Sequence, residues 1–290
     1  MNYPSSPHSH SDAEADQYVV IGNPIAHSKS PAIHACFAAQ TGQHIRYQTM
    51  LAPLDGFAAT VGEFRAQGGK GANVTVPFKL DACAYATVLT ARAASAGAVN
   101  TLRFDEGGVL GDNTDGIGLV TDIVQNAGVS LQGKRVLLAG AGGAARGALL
   151  PLLDQAPQML VIANRTLAKA EDLQALAEEY APGSTVLVRR FEDVGAAFDV
   201  IINATSASLH DAMPPLPASA FATQTLAYDM MYGAQPSAFL RYAAEQGAQC
   251  RDGLGMLVEQ AAEAFSLWRG IRPETAAVLA ELRAALMVQA

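Results

Sequence analysis

The 290-residue sequence has few cysteines, few charged residues and no long apolar run. Its three cysteines, Cys36, Cys83 and Cys250, are odd in number, lie far apart and form no CxxC pair. This pattern argues against a disulfide framework or a metal site, and it predicts reduced thiols in a cytoplasmic protein. No apolar run approaches the roughly 20 residues that a membrane-spanning helix requires.

Positive charge is scarce as well. The 19 lysines and arginines are outnumbered by 27 acidic residues, and the resulting net charge of −8 argues against nucleic acid or an anionic membrane as a partner. Half of the residues are hydrophobic, as in a globular protein, and the chain is long enough for two domains. We expect a small-molecule substrate and a monomer or homodimer. Residues 1–16 are polar without an apolar core, so they predict a disordered tail rather than a signal peptide.

A glycine-rich turn between a strand and a helix is the most informative stretch. Residues 135–139 read as a buried strand, Gly140, Gly142 and Gly143 follow, and an alanine- and leucine-rich helix comes next. Glycine lets backbone N–H groups approach a phosphate, and the start of a helix adds the positive end of its dipole. The turn therefore predicts a pyrophosphate site in a Rossmann-type domain. By itself, such a turn is often purely structural.

The end of the next strand indicates which dinucleotide is bound. Residues 158–166 form a second short strand, which ends in Asn164, Arg165 and Thr166, with Lys169 one turn further on. NAD-binding proteins usually carry Asp or Glu here for the ribose 2′-hydroxyl, whereas a guanidinium can hold a 2′-phosphate. The alternative is that Arg165 and Lys169 are solvated surface residues at the start of a helix and bind no ligand, although the helix dipole disfavours positive charge there. The pattern predicts NADP rather than NAD.

The alternation of strands and helices predicts an α/β fold with two domains. In the first domain, with a mostly parallel sheet, we expect strands at 18–22, 45–51, 71–76, 98–104 and 107–112, a turn at Gly107-Gly108, and helices at 31–40, 54–67 and through the early 90s. A helix at 114–127 leads to the second domain, with further strands at 185–188, 198–204 and 225–230 and with C-terminal helices at 254–269 and 274–289. These last helices should pack back on the first domain. We predict a substrate domain of residues 17–115 plus 254–290 and an NADP-binding domain of residues 116–253.

Polar side chains follow several of the predicted strands of the first domain. They are Ser28, Lys29 and Ser30, then Asn73, Thr75 and Lys79, then Asn100, and finally Asp112 and Asp115. Ligands of open α/β sheets bind beyond the carboxyl ends of the strands, so these groups should converge on one place. Serine hydroxyls suit a carboxylate, and Asn, Asp and Thr suit sugar-like hydroxyls. The cluster predicts a site for a small polyhydroxylated acid.

Lys79 and Asp115 are the pair that hydride transfer would need. Reduction of a ketone by NADPH creates an alkoxide, and a lysine ammonium held by a carboxylate can stabilise it and donate the proton. The alternative is that Lys79 is solvated, as most lysines after a strand are. Two nearby carboxylates without further oxygen ligands do not indicate a Ca²⁺ or Mg²⁺ loop.

The sequence resembles the shikimate dehydrogenase family over nearly all of residues 20–270. The motifs that carry the resemblance occur in that family's order, and they are GNPIAHSKSP, NVTVPFK, AGAVNTL, GDNTDG, GAGGAARG, NRT, INATS, YDMMYG and DGLGMLVEQAAEAF. The resemblance implies reversible reduction of 3-dehydroshikimate to shikimate with NADPH, in the pathway to aromatic amino acids.

The resemblance also implies roles for individual residues. Lys79 and Asp115 would be the catalytic pair, and the substrate carboxylate would bind Ser28 and Ser30, helped by Tyr232. Ring hydroxyls would bind Thr75, Asn100, Asp115 and Gln260. The pyrophosphate and 2′-phosphate would bind Gly140, Ala141, Gly142, Gly143, Ala144, Asn164, Arg165, Thr166 and Lys169. Met230 and Gly253 would line the nicotinamide pocket, with Thr205 and Ser206 near it.

Two other functions compete with this interpretation. A catabolic relative would use NAD and accept quinate, but Arg165 stands where it would need an acidic residue. A nucleotide-sensing regulator without catalysis would have no reason to retain both Lys79 and Asp115. The sequence also departs from some family members at Ala91, where they carry an acidic residue near the cofactor, so no contact is assigned there.

Overall fold

The described part of the chain forms two six-stranded sheets, each covered by helices. The computed structural model describes residues 15–288, so most of the predicted N-terminal tail lies outside the described residues. The first sheet has the order β2-β1-β3-β5-β6-β4. Its strands are β1 (Asp16–Gly22), β2 (Ile45–Leu51), β3 (Gly71–Val74), β4 (Val88–Leu89), β5 (Thr101–Asp105) and β6 (Gly108–Asp112). Its helices are α1 (Ser30–Thr41), α2 (Phe57–Ala66), α3 (Lys79–Tyr85) and α4 (Ala91–Ala96).

The first sheet is mostly parallel, as predicted, with one reversed strand. β5 runs antiparallel to both β3 and β6 because a tight turn joins it to β6. Asp105 pairs with Gly108, so the turn residues are Glu106 and Gly107 rather than the predicted glycine pair. The carboxyl ends of the other strands therefore meet at one edge, where the loops after β1, β3 and β6 lie.

The second sheet is parallel throughout and has the order β12-β11-β10-β7-β8-β9. This is the strand order of a doubly wound dinucleotide-binding domain. Its strands are β7 (Arg135–Ala139), β8 (Met159–Ala163), β9 (Val186–Arg189), β10 (Val200–Asn203), β11 (Leu226–Asp229) and β12 (Gln249–Asp252). Its helices are α6 (Gly143–Leu153), α7 (Leu167–Tyr180) and α8 (Ala238–Glu245). The order reverses between β7 and β10, which places the glycine turn after β7 at the switch point.

Three further helices join and cover the two sheets. They are α5 (Asp115–Thr121), which continues into a π-helical turn at Asp122–Asn126, then α9 (Leu254–Arg269) and α10 (Ala276–Val288). α9 packs against α1 through a cluster that includes Ile33, Phe37, Val258 and Phe265, and it also contacts α5. The prediction that the C-terminal segment returns to the first domain is confirmed for α9, and α10 packs on α9.

The structure differs from the sequence-based elements at three further points. The polar segment at residues 249–252 forms an edge strand, β12, whose first two side chains are exposed, so it lacks the apolar run of a buried strand. β4 has two residues, too few for any periodicity. The segment through the early 90s is thus two helices separated by β4. Because residues 53–56 form a turn closed by the Gly56 N–H donating to the Pro53 carbonyl, α2 begins at Phe57 rather than Leu54.

None of the helices within residues 15–288 combines the length and the apolar character that crossing a membrane demands.

His34 is a buried titratable group at the interface of α1 with the first sheet. Its ring stacks on Tyr47 at a centroid distance of 4.1 Å, and within residues 15–288 neither ring nitrogen has a hydrogen-bond partner. Burial lowers the pKa of His34 to about 3, so the ring is neutral in the folded protein at neutral pH. In the unfolded chain the ring regains an ordinary pKa of about 6.5.

This histidine should make the protein less stable in mild acid. Between pH 6.5 and 3 only the unfolded state binds the extra proton, so stability falls as pH falls, by up to about 1.4 kcal/mol per pH unit. We expect His34→Leu to flatten the dependence of the unfolding free energy on pH between 6.5 and 4.5, as measured by urea denaturation. A variant with the same slope as the original protein would show that His34 does not make this contribution.

Candidate active site

Lys79 and Asp115 meet at the edge where the strands of the first sheet end. Lys79 is the first residue of α3 and Asp115 the first residue of α5, and Lys79 Nζ lies 2.5 Å from Asp115 Oδ2. The Lys79 side chain is 33% exposed and that of Asp115 is 18% exposed. The ammonium is therefore held by a carboxylate and still reachable from the solvent side. An ion pair of this kind can hold and deliver a proton.

The carboxylate of Asp115 is itself held by a buried amide. Asn100 Nδ2 donates to Asp115 Oδ1 at 2.9 Å and to Thr114 Oγ1 at 3.0 Å. The Asn100 side-chain oxygen accepts the Thr114 backbone N–H at 2.9 Å, which fixes the orientation of the amide because a backbone N–H can only donate. Gln260 completes the group, since its Oε1 lies 3.4 Å from Asn100 Nδ2.

Close packing of α5 on α9 brings Asp115 and Gln260 to the same place. A Cβ added to Gly118 of α5 would lie 2.7 Å from the backbone nitrogen of Gln260 and 2.9 Å from the backbone carbonyl oxygen of Met256, both on α9. Glycine at this position is therefore what allows the two helix backbones to approach so closely. The result is a carboxylate from one helix and an amide side chain from another facing one cavity.

That cavity has a volume of about 390 Å³ and lies between the two sheets. It is lined by every residue predicted to bind substrate and by both residues predicted at the nicotinamide, which are Ser28, Ser30, Thr75, Lys79, Asn100, Asp115, Tyr232, Gln260, Met230 and Gly253. Asn73, which was predicted as part of the polar cluster, also lines the cavity, as do Met256 and Leu257, for which no role was predicted. The helical spacing of Met256 and Leu257 from Gln260 places all three near one face of α9, which is the signal that would have found them.

One end of the cavity is suited to a carboxylate. Ser28, Lys29 and Ser30 lie where α1 begins, so the positive end of the helix dipole adds to their side chains. Burial, with the negative charge of Asp252 adding to it, raises the pKa of Tyr232. The Tyr232 hydroxyl thus stays protonated and able to donate a hydrogen bond.

Asp112 was predicted to join the polar cluster, but it forms a buried ion pair with Arg92 and is not among the residues that line the cavity. Its buried carboxylate accepts Arg92 Nε at 2.7 Å and Nη2 at 2.5 Å, and Thr90 Oγ1 at 2.6 Å. Burial alone would raise the pKa of Asp112, but the hydrogen bonds and charge of Arg92 outweigh it and lower the pKa below its ordinary value. Arg92 also binds Glu263 of α9 at 2.9 Å, so this pair fixes the loop that carries Asp115.

The glycine turn after β7 fits a pyrophosphate. Gly140 has φ +111°, and a Cβ there would lie 3.0 Å from the Ala204 carbonyl oxygen, so a side chain would be strained and crowded. By contrast, among the described residues, chain neighbours and the backbone of α6 apart, no atom lies within 4 Å of a Cβ added at Gly142 or Gly143, so the space above the start of α6 is open. Ala141 and Ala144 complete this turn. The exposed amides at the start of α6 can therefore receive a phosphate.

The other predicted cofactor residues surround the same end of the second sheet. Asn164, Arg165 and Thr166 follow β8, and Lys169 lies in the first turn of α7. Arg165 and Lys169 are exposed and are absent from the ion pairs formed within residues 15–288. Thr205 and Ser206 follow β10, and the methyl group of Thr205 lies beside Gly140. None of these six residues is among those that line the cavity.

A doubly wound dinucleotide domain facing a polar cavity with a lysine–carboxylate pair defines a two-domain, NAD(P)-linked dehydrogenase. Comparison with known families specifies it further. The substrate-binding domain of shikimate dehydrogenase matches residues 20–102, shikimate/quinate 5-dehydrogenase matches residues 122–211, and the C-terminal domain of shikimate 5′-dehydrogenase matches residues 253–283.

Individual relatives agree with these families. The chain is 65% identical over 271 residues to the shikimate dehydrogenase (NADP(+)) of Herminiimonas arsenicoxydans, which covers 93% of this chain and 98% of that one. Among solved structures, an Ael1 enzyme from Pseudomonas putida is similar with a TM-score of 0.87 and 50% identity, over 92% of this chain and 98% of that one. The shikimate 5-dehydrogenase of Thermus thermophilus, in complex with NADP(H) and shikimate, is similar with a TM-score of 0.81 and 33% identity, over 93% and 100%. The chain belongs to the shikimate dehydrogenase family.

Proposed function

We propose that this protein catalyses the reversible NADPH-linked reduction of 3-dehydroshikimate to shikimate, a step towards chorismate and the aromatic amino acids. The observation that carries the proposal is the Lys79–Asp115 pair, with Nζ and Oδ2 2.5 Å apart, in a polar cavity between the two sheets. Family membership favours the same reaction.

The carboxylate of the substrate binds where α1 begins. Ser28 and Ser30 offer hydroxyl groups there, and the Tyr232 hydroxyl reaches the same cavity from the second domain. A carboxylate is favoured at this point by the positive end of the α1 dipole. The ring hydroxyls bind at the other side of the cavity, to Thr75, Asn100, Asp115 and Gln260.

NADP binds along the carboxyl edge of the second sheet. The turn from Gly140 to Ala144 would hold its pyrophosphate, and Arg165 and Lys169, with the neighbouring Asn164 and Thr166, would hold its 2′-phosphate. The nicotinamide would be bordered by Thr205, Ser206, Met230 and Gly253. When bound, NADPH supplies the hydride that reduces the substrate carbonyl carbon.

The chain's own part in the chemistry is the proton. Lys79 Nζ donates a proton to the carbonyl oxygen as that oxygen gains negative charge, so the product hydroxyl forms and a neutral amine remains. Asp115 holds the ammonium in place before the transfer, with its other oxygen fixed by Asn100 at 2.9 Å. The 33% exposure of the Lys79 side chain lets solvent return the proton. In the reverse direction the neutral amine accepts the hydroxyl proton.

An absorbance assay at the nicotinamide band tests this proposal. Shikimate and quinate are each combined with NADP⁺ and with NAD⁺, and we expect the highest kcat/KM for shikimate with NADP⁺. A preference for quinate with NAD⁺ would assign the chain to the catabolic alternative. Absence of turnover in all four combinations, with dinucleotide still bound, would leave the nucleotide-sensing alternative.

We also propose a cytoplasmic location, supported by the three free thiols Cys36, Cys83 and Cys250, and a monomeric or homodimeric state. Our division of the chain stays as predicted, with residues 17–115 plus 254–290 binding substrate and residues 116–253 binding NADP. The two separate sheets and the packing of α9 on α1 support that division. Light scattering of the purified chain measures the oligomeric state directly.

A further inference from the structure

A continuous row of hydrogen bonds runs behind the cavity and ends on the catalytic carboxylate. It begins at the hydroxyl of Tyr47 on β2, which lies 2.7 Å from Asn73 Oδ1 on β3. Asn73 Nδ2 lies 3.0 Å from Thr101 Oγ1, and Thr101 Oγ1 lies 2.9 Å from Asn100 Oδ1. Asn100 Nδ2 then donates to Asp115 at 2.9 Å. Three strands of the first sheet are thereby connected to Asp115.

The direction of each hydrogen bond in this row is fixed by the backbone. Asn73 Nδ2 also lies 3.3 Å from the backbone carbonyl of Asn100, which can only accept, so the amide nitrogen is on that side. The Asn73 oxygen must then face Tyr47, whose hydroxyl donates. Burial raises the pKa of Tyr47 well above its ordinary value, so this hydroxyl keeps its proton.

The same reasoning fixes the second half of the row. The Thr114 backbone N–H contacts Asn100 Oδ1 at 2.9 Å, so this atom is an acceptor and the Thr101 hydroxyl donates to it. Every donor along the row therefore points towards Asp115. In such an arrangement each hydrogen bond polarises the next in the same sense.

Sheet register holds the middle of this row rigidly. Asn73 and Thr101 are direct partners in the antiparallel pairing of β3 with β5, so their side chains share one face of the sheet. Thr101 and Asn100 are 0% and 3% exposed. At the far end, Tyr47 is fixed by its stacking on His34 at 4.1 Å. Tyr47 and Thr101 lie behind Asn73 and Asn100, which line the cavity.

We propose that Tyr47 and Thr101 are positioning residues that aim the Asn100 amide, and through it the Asp115 carboxylate, at Lys79. The inference rests on the proposed function, because it assigns these residues to the proton transfer of that reaction. Neither residue is among those that line the cavity. Their effect is on the geometry of the pair, so their loss should slow the proton step and leave cofactor binding unchanged.

Thr101→Val and Thr101→Ser form a matched pair of tests. Valine keeps the shape of threonine and removes the hydroxyl, while serine keeps the hydroxyl and removes the methyl group. We expect Thr101→Val to lower kcat by roughly tenfold, as misplacement of a catalytic group does. The KM for NADP⁺ should not change, and the solvent deuterium isotope effect on kcat should increase as proton transfer becomes slower. Thr101→Ser should restore both values towards those of the original protein.

Thr225→Val is the control for lost stability. Thr225 is also buried, and its hydroxyl donates to the Phe198 carbonyl at 2.6 Å in the second domain, away from the cavity. Its loss should lower the melting temperature without a change in kcat or in the isotope effect. An equal fall in kcat for Thr225→Val and Thr101→Val would overturn the proposal.

The original protein is measured first. If it does not turn over shikimate with NADP⁺, that result contradicts the proposed function rather than the positioning roles. Unchanged kcat and isotope effect in Thr101→Val, or failure of Thr101→Ser to recover them, would contradict the positioning role of Thr101. If Thr101→Val does not fold, Tyr47→Phe is measured instead, since phenylalanine keeps the stacking on His34 and removes the hydroxyl that donates to Asn73. A kcat of Tyr47→Phe equal to that of the original protein would then overturn the proposal.

Discussion

Lys79→Ala is expected to lower kcat by about 10² to 10⁴, the usual contribution of a positioned acid or base. The ammonium lies 2.5 Å from Asp115 and is the proton donor of the proposed reaction. Its removal leaves the serine hydroxyls at the start of α1 and the amide of Gln260 in place, so the KM for shikimate should change little. Steady-state kinetics with shikimate and NADP⁺ give both values. An effect confined to kcat is the signature of an interaction made only in the transition state.

The matched control is Lys134→Ala. Lys134 also pairs with a carboxylate, at 3.3 Å from Asp199, but both side chains are about 40% exposed at the other end of β7. Exposed pairs contribute about 1 kcal/mol or less to stability, and this one is remote from the cavity. Turnover of Lys79→Ala within a few-fold of that of Lys134→Ala would remove Lys79 from the mechanism.

Much of this site could be predicted because it follows a local rule. The side chains of Thr75, Lys79 and Asp115 come directly after strands or at helix starts, and the carboxyl ends of parallel strands share one edge. Met256 and Leu257 were missed because, in a helical sequence, an apolar residue that lines a cavity cannot be distinguished from one that packs in the core. Tyr47 and Thr101 were missed for a different reason. They lie within strands, and only the sheet register brings them behind Asn100.

The fold could likewise be predicted where an element has a local sequence pattern, and it could not be predicted where an element depends on contacts with distant residues. Buried parallel strands such as β7 and β8 are continuous apolar runs, so the bounds of β7 were confirmed, and β8 was predicted to begin one residue too early and to end three residues too late. β12 is polar because it is an edge strand, and its identity depends on pairing with β11. The π-helical turn at Asp122 has no sequence signal either. Asp122 is buried there against Arg251 at 2.5 Å and Tyr228 at 2.8 Å, both more than 100 residues away.

Arg165→Asp is expected to weaken NADPH binding by roughly 10²-fold, the effect of removing one partner of a charge-assisted pair. Arg165 is exposed at the end of β8, where the ribose of a bound dinucleotide lies in this fold. NADH carries no 2′-phosphate, so its affinity should change by about twofold or less, as for other surface substitutions. Isothermal titration with each reduced dinucleotide measures both dissociation constants.

Arg46→Asp is the matched control, because it makes the same change of charge at an exposed position of β2 in the other domain. If the effect of Arg165→Asp came from net charge alone, both variants would weaken NADPH equally. A local contact predicts instead that only Arg165→Asp reverses the preference for NADPH over NADH.

Salt provides an independent check, since screening weakens exposed charge pairs. NADPH affinity should fall with ionic strength in the original protein and in Arg46→Asp, and it should fall less steeply in Arg165→Asp. Equal loss of NADPH and NADH in Arg165→Asp would refute the assignment of the 2′-phosphate to this residue.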